Sequence, residues 1–291
     1  MAHVVAVDIG GTKLAAGVVD DGGNLLEQHQ VATPRSGEVA TWDALSALVD
    51  SVVGTGSDAP EAIGVGCGGP MSPAGRTVSP LNIPGWRRFP LLERIEHRWG
   101  LPTRIDNDAK ALALGEGWVG AAAGERNFMA MVVSTGVGGG IVLDGRLLDG
   151  ATGNAGHIGH VVVEPDGASL PDHAPGTLET EASGTAIEVA TGRPAAEATA
   201  EVVERTGRLV GRAVGSVCNL LDLGLVVVAG SVALGYGAAF FEAAQHEIDH
   251  ICVLDFSRGA TIRPAGLGSD GPLVGAGAVA WRGIGHDIGI G

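Results

Sequence analysis

The sequence predicts an α/β protein of two lobes, and three observations carry that expectation. Apolar runs of strand length alternate with stretches whose apolar residues recur at helical spacing. Two glycine-rich turns, Gly10-Gly11 and the stretch 136–140, each follow such an apolar run directly. The order strand, turn, helix therefore occurs twice, in the manner of a weak internal repeat. A chain of 291 residues is long enough for two separate cores. We expect a small lobe over residues 1–108, completed by a C-terminal helix within 274–291, and a larger lobe over 109–273.

Taken in order, residues 3–7 read as a buried strand and 14–19 as a second one. Asp20-Asp21-Gly22-Gly23-Asn24 is a hairpin turn, because these residue types accept the backbone angles that a tight turn needs. Residues 41–53 carry helical spacing, with Thr41 and Asp43 suited to its start. A strand is expected at 62–67, then an irregular proline-rich loop at 79–86 that lies outside the core. A helix at 89–99, a short strand at 103–105 and a small-residue helix at 109–120 follow. The second half opens with strands at 128–133, 140–143 and 160–163. A long helix spans roughly 196–221, a strand 225–229, and a final small-residue helix 274–281.

The 49 glycines exceed the usual share of about 7% and sit at the ends of apolar runs, so they read as turns. The formal net charge of -15 argues against nucleic acid as a partner, since phosphate backbones need clustered Lys and Arg. No apolar stretch reaches the roughly 20 residues of a membrane span. The first strand begins almost at once, without space for a signal peptide. Cys67, Cys218 and Cys252 are widely separated and read as buried free thiols. Together these features predict a cytoplasmic protein.

Three places carry chemistry. Asp8-Ile9-Gly10-Gly11-Thr12-Lys13 ends the first strand; its glycine pair lets backbone N–H groups approach phosphate oxygens, with a hydroxyl and a charge beside them. Asp8 suits Mg²⁺ or its water shell. The pattern is neither GxxxxGK[ST] nor GxGxxG, and an ordinary hairpin turn is the competing reading. Ser134-Thr135-Gly136-Val137-Gly138-Gly139-Gly140 is too glycine-rich for a hairpin strand alone, because interior glycine weakens strands. Between the two turns, Ile105-Asp106-Asn107-Asp108 stands where a strand ends and a helix begins. Helix capping accounts for one of these residues; a base for a hydroxyl proton accounts for another. The glycine turns with a carboxylate between them suggest a nucleotide held between two lobes. Farther on, His157 and His160 stand three residues apart, with Glu179 and Glu181 beyond them.

Read together, DIGGTK, IDNDAKALALGE, VSTGVGGGIV, GNAGHIGH, LETEASG and VVVAGSVA resemble the ROK sugar kinases in order and spacing over nearly the whole chain. The resemblance implies an actin-like ATPase (hexokinase-type) fold, two α/β lobes with a cleft between. It also implies an ATP- and Mg²⁺-dependent kinase that phosphorylates a hexose or N-acetylhexosamine hydroxyl, and a homodimer. By resemblance Asp108 is the general base, and Asn107, His157, His160, Glu179 and Asn82 face the sugar. Gly10, Gly11, Thr12 and Lys13 hold phosphates, as do Thr135, Gly136, Gly138 and Gly139. Gly230 and Ser231 lie near the adenosine, and Asp8 near the metal.

Two departures from that family matter. Its members usually join the histidine to three thiolates on zinc, in a CxCGxxGC pattern. Here Leu170, Asp172 and Thr177 stand at the cysteine positions, so no structural zinc is expected; Asp172 and His173 as ligands beside His160 would make a different and weaker site. Most glucokinase-like members have Glu where this chain has His157, and imidazole offers one donor and one acceptor where carboxylate only accepts. Glucose is the default expectation for the substrate, and this departure makes N-acetylmannosamine its close rival. A sugar-responsive regulator would add an N-terminal helix-turn-helix segment, and a pseudokinase would lack Asp8, Asp108 or the glycine loops.

Overall fold

A computed structural model describes residues 1–54, 59–170 and 173–291; Asp172 lies outside the described residues. In chain order the elements are β1 (His3–Ile9), β2 (Lys13–Asp20), β3 (Leu25–Ala32), α1 (Glu38–Val53), β4 (Ile63–Cys67), α2 (Leu91–Trp99), β5 (Thr103–Asn107) and α3 (Asp108–Trp118). The strands β6 (Phe128–Val133), β7 (Val137–Leu143) and β8 (Arg146–Leu147) follow, then α4 (Leu178–Ala182), α5 (Gly184–Thr191), α6 (Ala200–Leu221) and β9 (Leu225–Ala229). The chain ends with α7 (Ser231–Tyr236), α8 (Ala238–Ile251), β10 (Thr261–Pro264) and α9 (Gly271–Gly283).

Two compact units result. The first comprises Met1–Gly124, Gly145–Ala155 and Leu267–Gly291; the second comprises Glu125–Asp144 and Gly156–Gly266. Helix α3 thus belongs with the first sheet, and the C-terminal helix α9 returns to it.

In the first unit the strand order is β3-β2-β1-β4-β5, antiparallel through β1 to β3 and parallel from β1 to β5. Val4 to Val7 of β1 are fully buried, which explains the unbroken apolar run: a strand covered on both faces need not alternate. On one face α1 supplies Leu45, Leu48, Val49 and Val52 to the core. On the other, α3 and α9 approach closely because both are built of small residues. A Cβ on Gly115 would stand 2.9 Å from the backbone nitrogen of Gly275, so only glycine permits that distance.

In the second unit the strands run β10-β9-β6-β7, with β6–β7 antiparallel and β6–β9–β10 parallel. This matches β5-β4-β1-β2 of the first unit, so the repeat legible in the sequence is a repeat of sheet order. Helix α6 packs on α8 through small residues: a Cβ at Gly207 would come within 2.5 Å of the Phe240 carbonyl.

Three expectations need correction. The proline-rich loop 79–86 does contribute to the core: Trp86 is fully buried and Ile83 nearly so. The Trp86 indole stacks on Phe89 with ring centroids 4.1 Å apart and planes 5° from parallel; the loop is irregular in backbone but anchored by its aromatic ring. Residues 160–163 are not a strand. Ile158–His160 forms a 3-10 turn, and Val162 makes one isolated bridge, to Thr177. The helix expected from about 196 begins instead at Ala200, behind a short 3-10 turn at Ala195–Glu197. Helix α8 and strand β10 were not expected.

Candidate active site

In the first unit the parallel strands β1, β4 and β5 place Asp8, Gly66 and Asp106 in register, with Ile9, Cys67 and Asn107 one step beyond. These are carboxyl ends of parallel strands, where open α/β sheets bind ligands. The turn after β1 is tightly tied. Gly10 N–H donates to the Lys13 carbonyl at 3.0 Å, Thr33 Oγ1 donates to the Gly10 carbonyl at 2.7 Å, and Thr33 N–H donates to the Thr12 carbonyl at 3.0 Å. A Cβ on Gly11 would stand 2.3 Å from Asn82 Cβ, so glycine there lets the Asn82 loop press onto the turn. Lys13 is exposed at the start of β2.

The three residues at the β5–α3 junction have three tasks. Asp106 pairs with the buried Lys110 at 2.8 Å. Asn107 is the helix cap, its side-chain oxygen accepting from Ala109 N–H at 3.0 Å, which leaves its amide N–H₂ available for other contacts by valence. Asp108 opens α3, and its Oδ1 also accepts from Ala109 N–H, at 2.9 Å. The Asp108 carboxylate acts electrostatically on Asp8. Enclosure of the Asp8 carboxyl pushes its pKa up to about 7, the charge of Asp108 adds to this, and Lys13 opposes it. Asp8, Gly10, Gly11, Thr12, Lys13, Asn82, Asn107 and Asp108 thus gather at one sheet end. A crowded carboxyl pair of this kind suits a divalent cation.

Sequence reasoning missed what supports this end. Lys110 also reaches Asp149 at 2.7 Å and the Gly153 carbonyl at 3.3 Å. Asn154 binds Met71 in both directions, donating to its carbonyl at 3.0 Å and accepting from its N–H at 3.3 Å. These contacts pin 149–154, the segment just before Gly156-His157. The only sequence signal was the lysine and asparagine inside otherwise small-residue motifs.

In the second unit, the turn from β6 to β7 holds Thr135 and Gly136. Its Thr135 carbonyl accepts from Thr185 N–H at 3.2 Å and Thr185 Oγ1 at 3.0 Å. Ser134 Oγ lies 3.0 Å from Ser231 Oγ, at the first residue of α7. Gly230 precedes it with φ +103, where a Cβ would sit 2.3 Å from the Val133 carbonyl. Gly139 backs onto Gly156: a Cβ on Gly156 would come 2.2 Å from the Gly139 carbonyl. Part of the glycine density in β7 therefore serves chain-to-chain approach.

Glu179, in α4, lies against the same turn. Its Oε2 accepts from Val137 N–H at 3.3 Å, and its Oε1 would be 3.1 Å from a Cβ on Gly136. His157 and His160 meet edge to face, centroids 5.7 Å apart. The structure thus gathers Thr135, Gly136, Gly138, Gly139, His157, His160, Glu179, Gly230 and Ser231 in the second unit. Glu181 is engaged elsewhere, paired with Arg205 and accepting from Ala168 N–H.

Two α/β units repeating one order of hairpin and parallel strands define the actin-like ATPase fold. A sequence model described as the ROK family matches residues 4–282. A glucokinase from Halalkalibacterium halodurans is 31% identical, over 94% of this chain and 93% of that protein. An N-acetylmannosamine kinase from Yersinia pseudotuberculosis is 35% identical, over 81% of this chain and 86% of that one. Among solved structures, a ROK family glucokinase from Streptomyces griseus, in complex with glucose and AMPPNP, superposes with a TM-score of 0.84 at 30% identity, covering 97% of this chain and all of that one. The chain belongs to the ROK family, and these likenesses place it with the family's sugar kinases. Among the described residues no helix is long and apolar enough to cross a membrane.

Proposed function

We propose that this chain transfers the γ-phosphoryl group of ATP to a hydroxyl of a hexose, with glucose as substrate and glucose 6-phosphate as product. The observation that carries this reading is the crowded pair Asp8, near the end of β1, and Asp108, at the start of α3, beside a glycine turn and Lys13. Phosphoryl transfer asks little covalent chemistry of a protein; it needs positioning, charge neutralisation and a proton acceptor. In this reading the sugar oxygen forms the new bond to phosphorus as the bond to ADP breaks, and the hydroxyl proton passes to Asp108. Asn107, through its amide N–H₂, holds the sugar together with Asn82, His157, His160 and Glu179. The backbone at Gly10 to Lys13 and at Thr135 to Gly139 receives phosphate oxygens, and Gly230 with Ser231 borders the nucleoside. Mg²⁺ bound with the nucleotide would be held by Asp8 through water or phosphate oxygens, and it would supply neutralisation of phosphate charge.

His157 favours a second reading, N-acetylmannosamine, because its ring N–H can donate to an acetamido oxygen where a carboxylate cannot. A coupled ADP-release assay with glucose, N-acetylmannosamine, N-acetylglucosamine and mannose distinguishes the two. Glucose is expected to give the highest kcat/KM. A preference of tenfold or more for N-acetylmannosamine would reassign the substrate, and no turnover with any of the four would remove the kinase reading.

A further inference from the structure

In sequence, the segment 164–178 corresponds to the stretch where the resembling family carries zinc, and its described residues do not fit that metal. Among the described residues no group of three His, Cys, Asp or Glu side chains is arranged to hold a metal ion. The three cysteines are buried and free in β4, in α6 and just after α8. Thr177, at one cysteine position, caps α4 instead, its hydroxyl oxygen accepting from Thr180 N–H at 3.4 Å. The segment is tied by other means. The Gly176 carbonyl accepts from Val163 and Glu164 N–H, at 2.8 and 3.1 Å, and Gly176 N–H donates to the Ala168 carbonyl at 2.8 Å. Arg212 binds the Val163 carbonyl at 3.0 Å and Glu164 at 2.6 Å.

Among the described residues of this segment, His173 meets both Glu179 and His160. Its Nε2 lies 3.3 Å from Glu179 Oε1, and its ring stacks on His160 with centroids 5.4 Å apart and planes 27° from parallel. His160 in turn meets His157 edge to face. Both His173 and Glu179 are largely shielded from water, with side-chain exposures of 12% and 19%. One imidazole therefore touches both the carboxylate of Glu179 and the ring of His160.

We propose that His173 is a positioning residue that holds Glu179 and His160 for the sugar by a hydrogen bond and a ring stack, in place of a zinc centre. This rests on the reading of Glu179 and His160 as sugar contacts. A side chain locked by its neighbours costs less ordering when the ligand arrives, so His173 acts on sugar affinity more than on the chemical step.

The test uses the purified full chain, its His173→Ala variant and the conservative His173→Gln variant, whose amide can still donate to Glu179. Zinc content is measured by elemental analysis, and the His160 ring protons are followed by NMR. Wild type is expected to hold well under one zinc per chain and to keep its activity after EDTA treatment. In His173→Ala the KM for glucose is expected to rise roughly tenfold, with kcat and the KM for ATP within about threefold, and His173→Gln should recover most of the loss. The His160 ring protons should shift in His173→Ala as the stacked ring is removed. A KM for glucose within twofold of wild type in a folded His173→Ala would overturn the proposal, as would one zinc per chain lost with that variant. If no sugar is turned over at all, the sugar reading fails by itself, while an unmoved His160 resonance would refute the hold of His173 separately.

Discussion

The ammonium of Lys110 stands 2.8 Å from the carboxylate of Asp106, one helical turn back across the β5–α3 junction. The lysine is almost completely buried, and the pair sits directly beside Asn107 and Asp108. Burial raises the Asp106 carboxyl above its ordinary pKa, and Lys110 works against that rise. The same ammonium ties down Asp149 and the Gly153 carbonyl. Lys110 therefore fixes both the strand end that carries the proposed base and the segment that leads to His157.

Replacing Lys110 with Met is expected to destabilise the protein by about 3 kcal/mol, the usual cost of leaving one member of a buried pair without its partner. Asp106 in the variant rises further, so the folded state binds its proton more tightly than the unfolded chain does. Stability contributed at this site then falls as pH increases. Urea unfolding should show a larger gap from wild type at pH 8 than at pH 5. A gap that is equal at both values would contradict the role given to Asp106.

Asp8 makes a second pH prediction. Its folded pKa of about 7 lies above the ordinary 3.8, so between these values the folded state binds more protons than the unfolded one. By linkage Asp8 removes stability as pH rises through that window, by up to about 4 kcal/mol as an upper bound. Asp8→Asn, which mimics the protonated carboxyl, should melt higher than wild type at pH 8 in the absence of ligands, and by a clearly smaller margin at pH 5, where only part of the window has been crossed. Thermal melts at the two pH values check this, and a variant less stable than wild type at pH 8 would refute it.

Glu116 is fully buried in α3. Its Oε2 accepts from Ala121 N–H at 2.8 Å and its Oε1 from Leu267 N–H at 3.0 Å. One carboxylate thus satisfies backbone groups from two chain segments far apart in sequence. Glu116→Ala removes the carboxylate acceptor from both partly shielded N–H groups and should cost about 2–5 kcal/mol, whereas Glu116→Gln retains one acceptor oxygen and should cost about half of that. Denaturant midpoints for both variants measure the difference, and equal losses would exclude the acceptor role.

What the sequence disclosed and what it hid follow from the range of the interactions. The turn at Asp20 to Asn24 was legible because it is closed locally, Asp20 Oδ1 accepting from Gly22 and Asn24 N–H. The glycine turn after β1 and the strand–helix junction at Asp106 to Asp108 were legible for the same reason. The press of Asn82 on Gly11 was not, since it depends on a loop returning from more than one strand away. Trp86 was misread because a proline-rich stretch lacks the periodicity that announces burial, although its ring is stacked in the core. Lys110 reaching Asp149, and His173 reaching Glu179, depend on loop paths that no spacing rule encodes.

The proposed transfer of the sugar hydroxyl proton to Asp108 is checked by the rate of ADP release from Asp108→Asn at saturating ATP and glucose, with melting temperature and nucleotide binding measured on the same sample. A positioned general base contributes a factor on the order of 10²–10⁴, so kcat should fall by that much while fold and nucleotide affinity persist. A folded variant that turns over within a few-fold of wild type would contradict the claim.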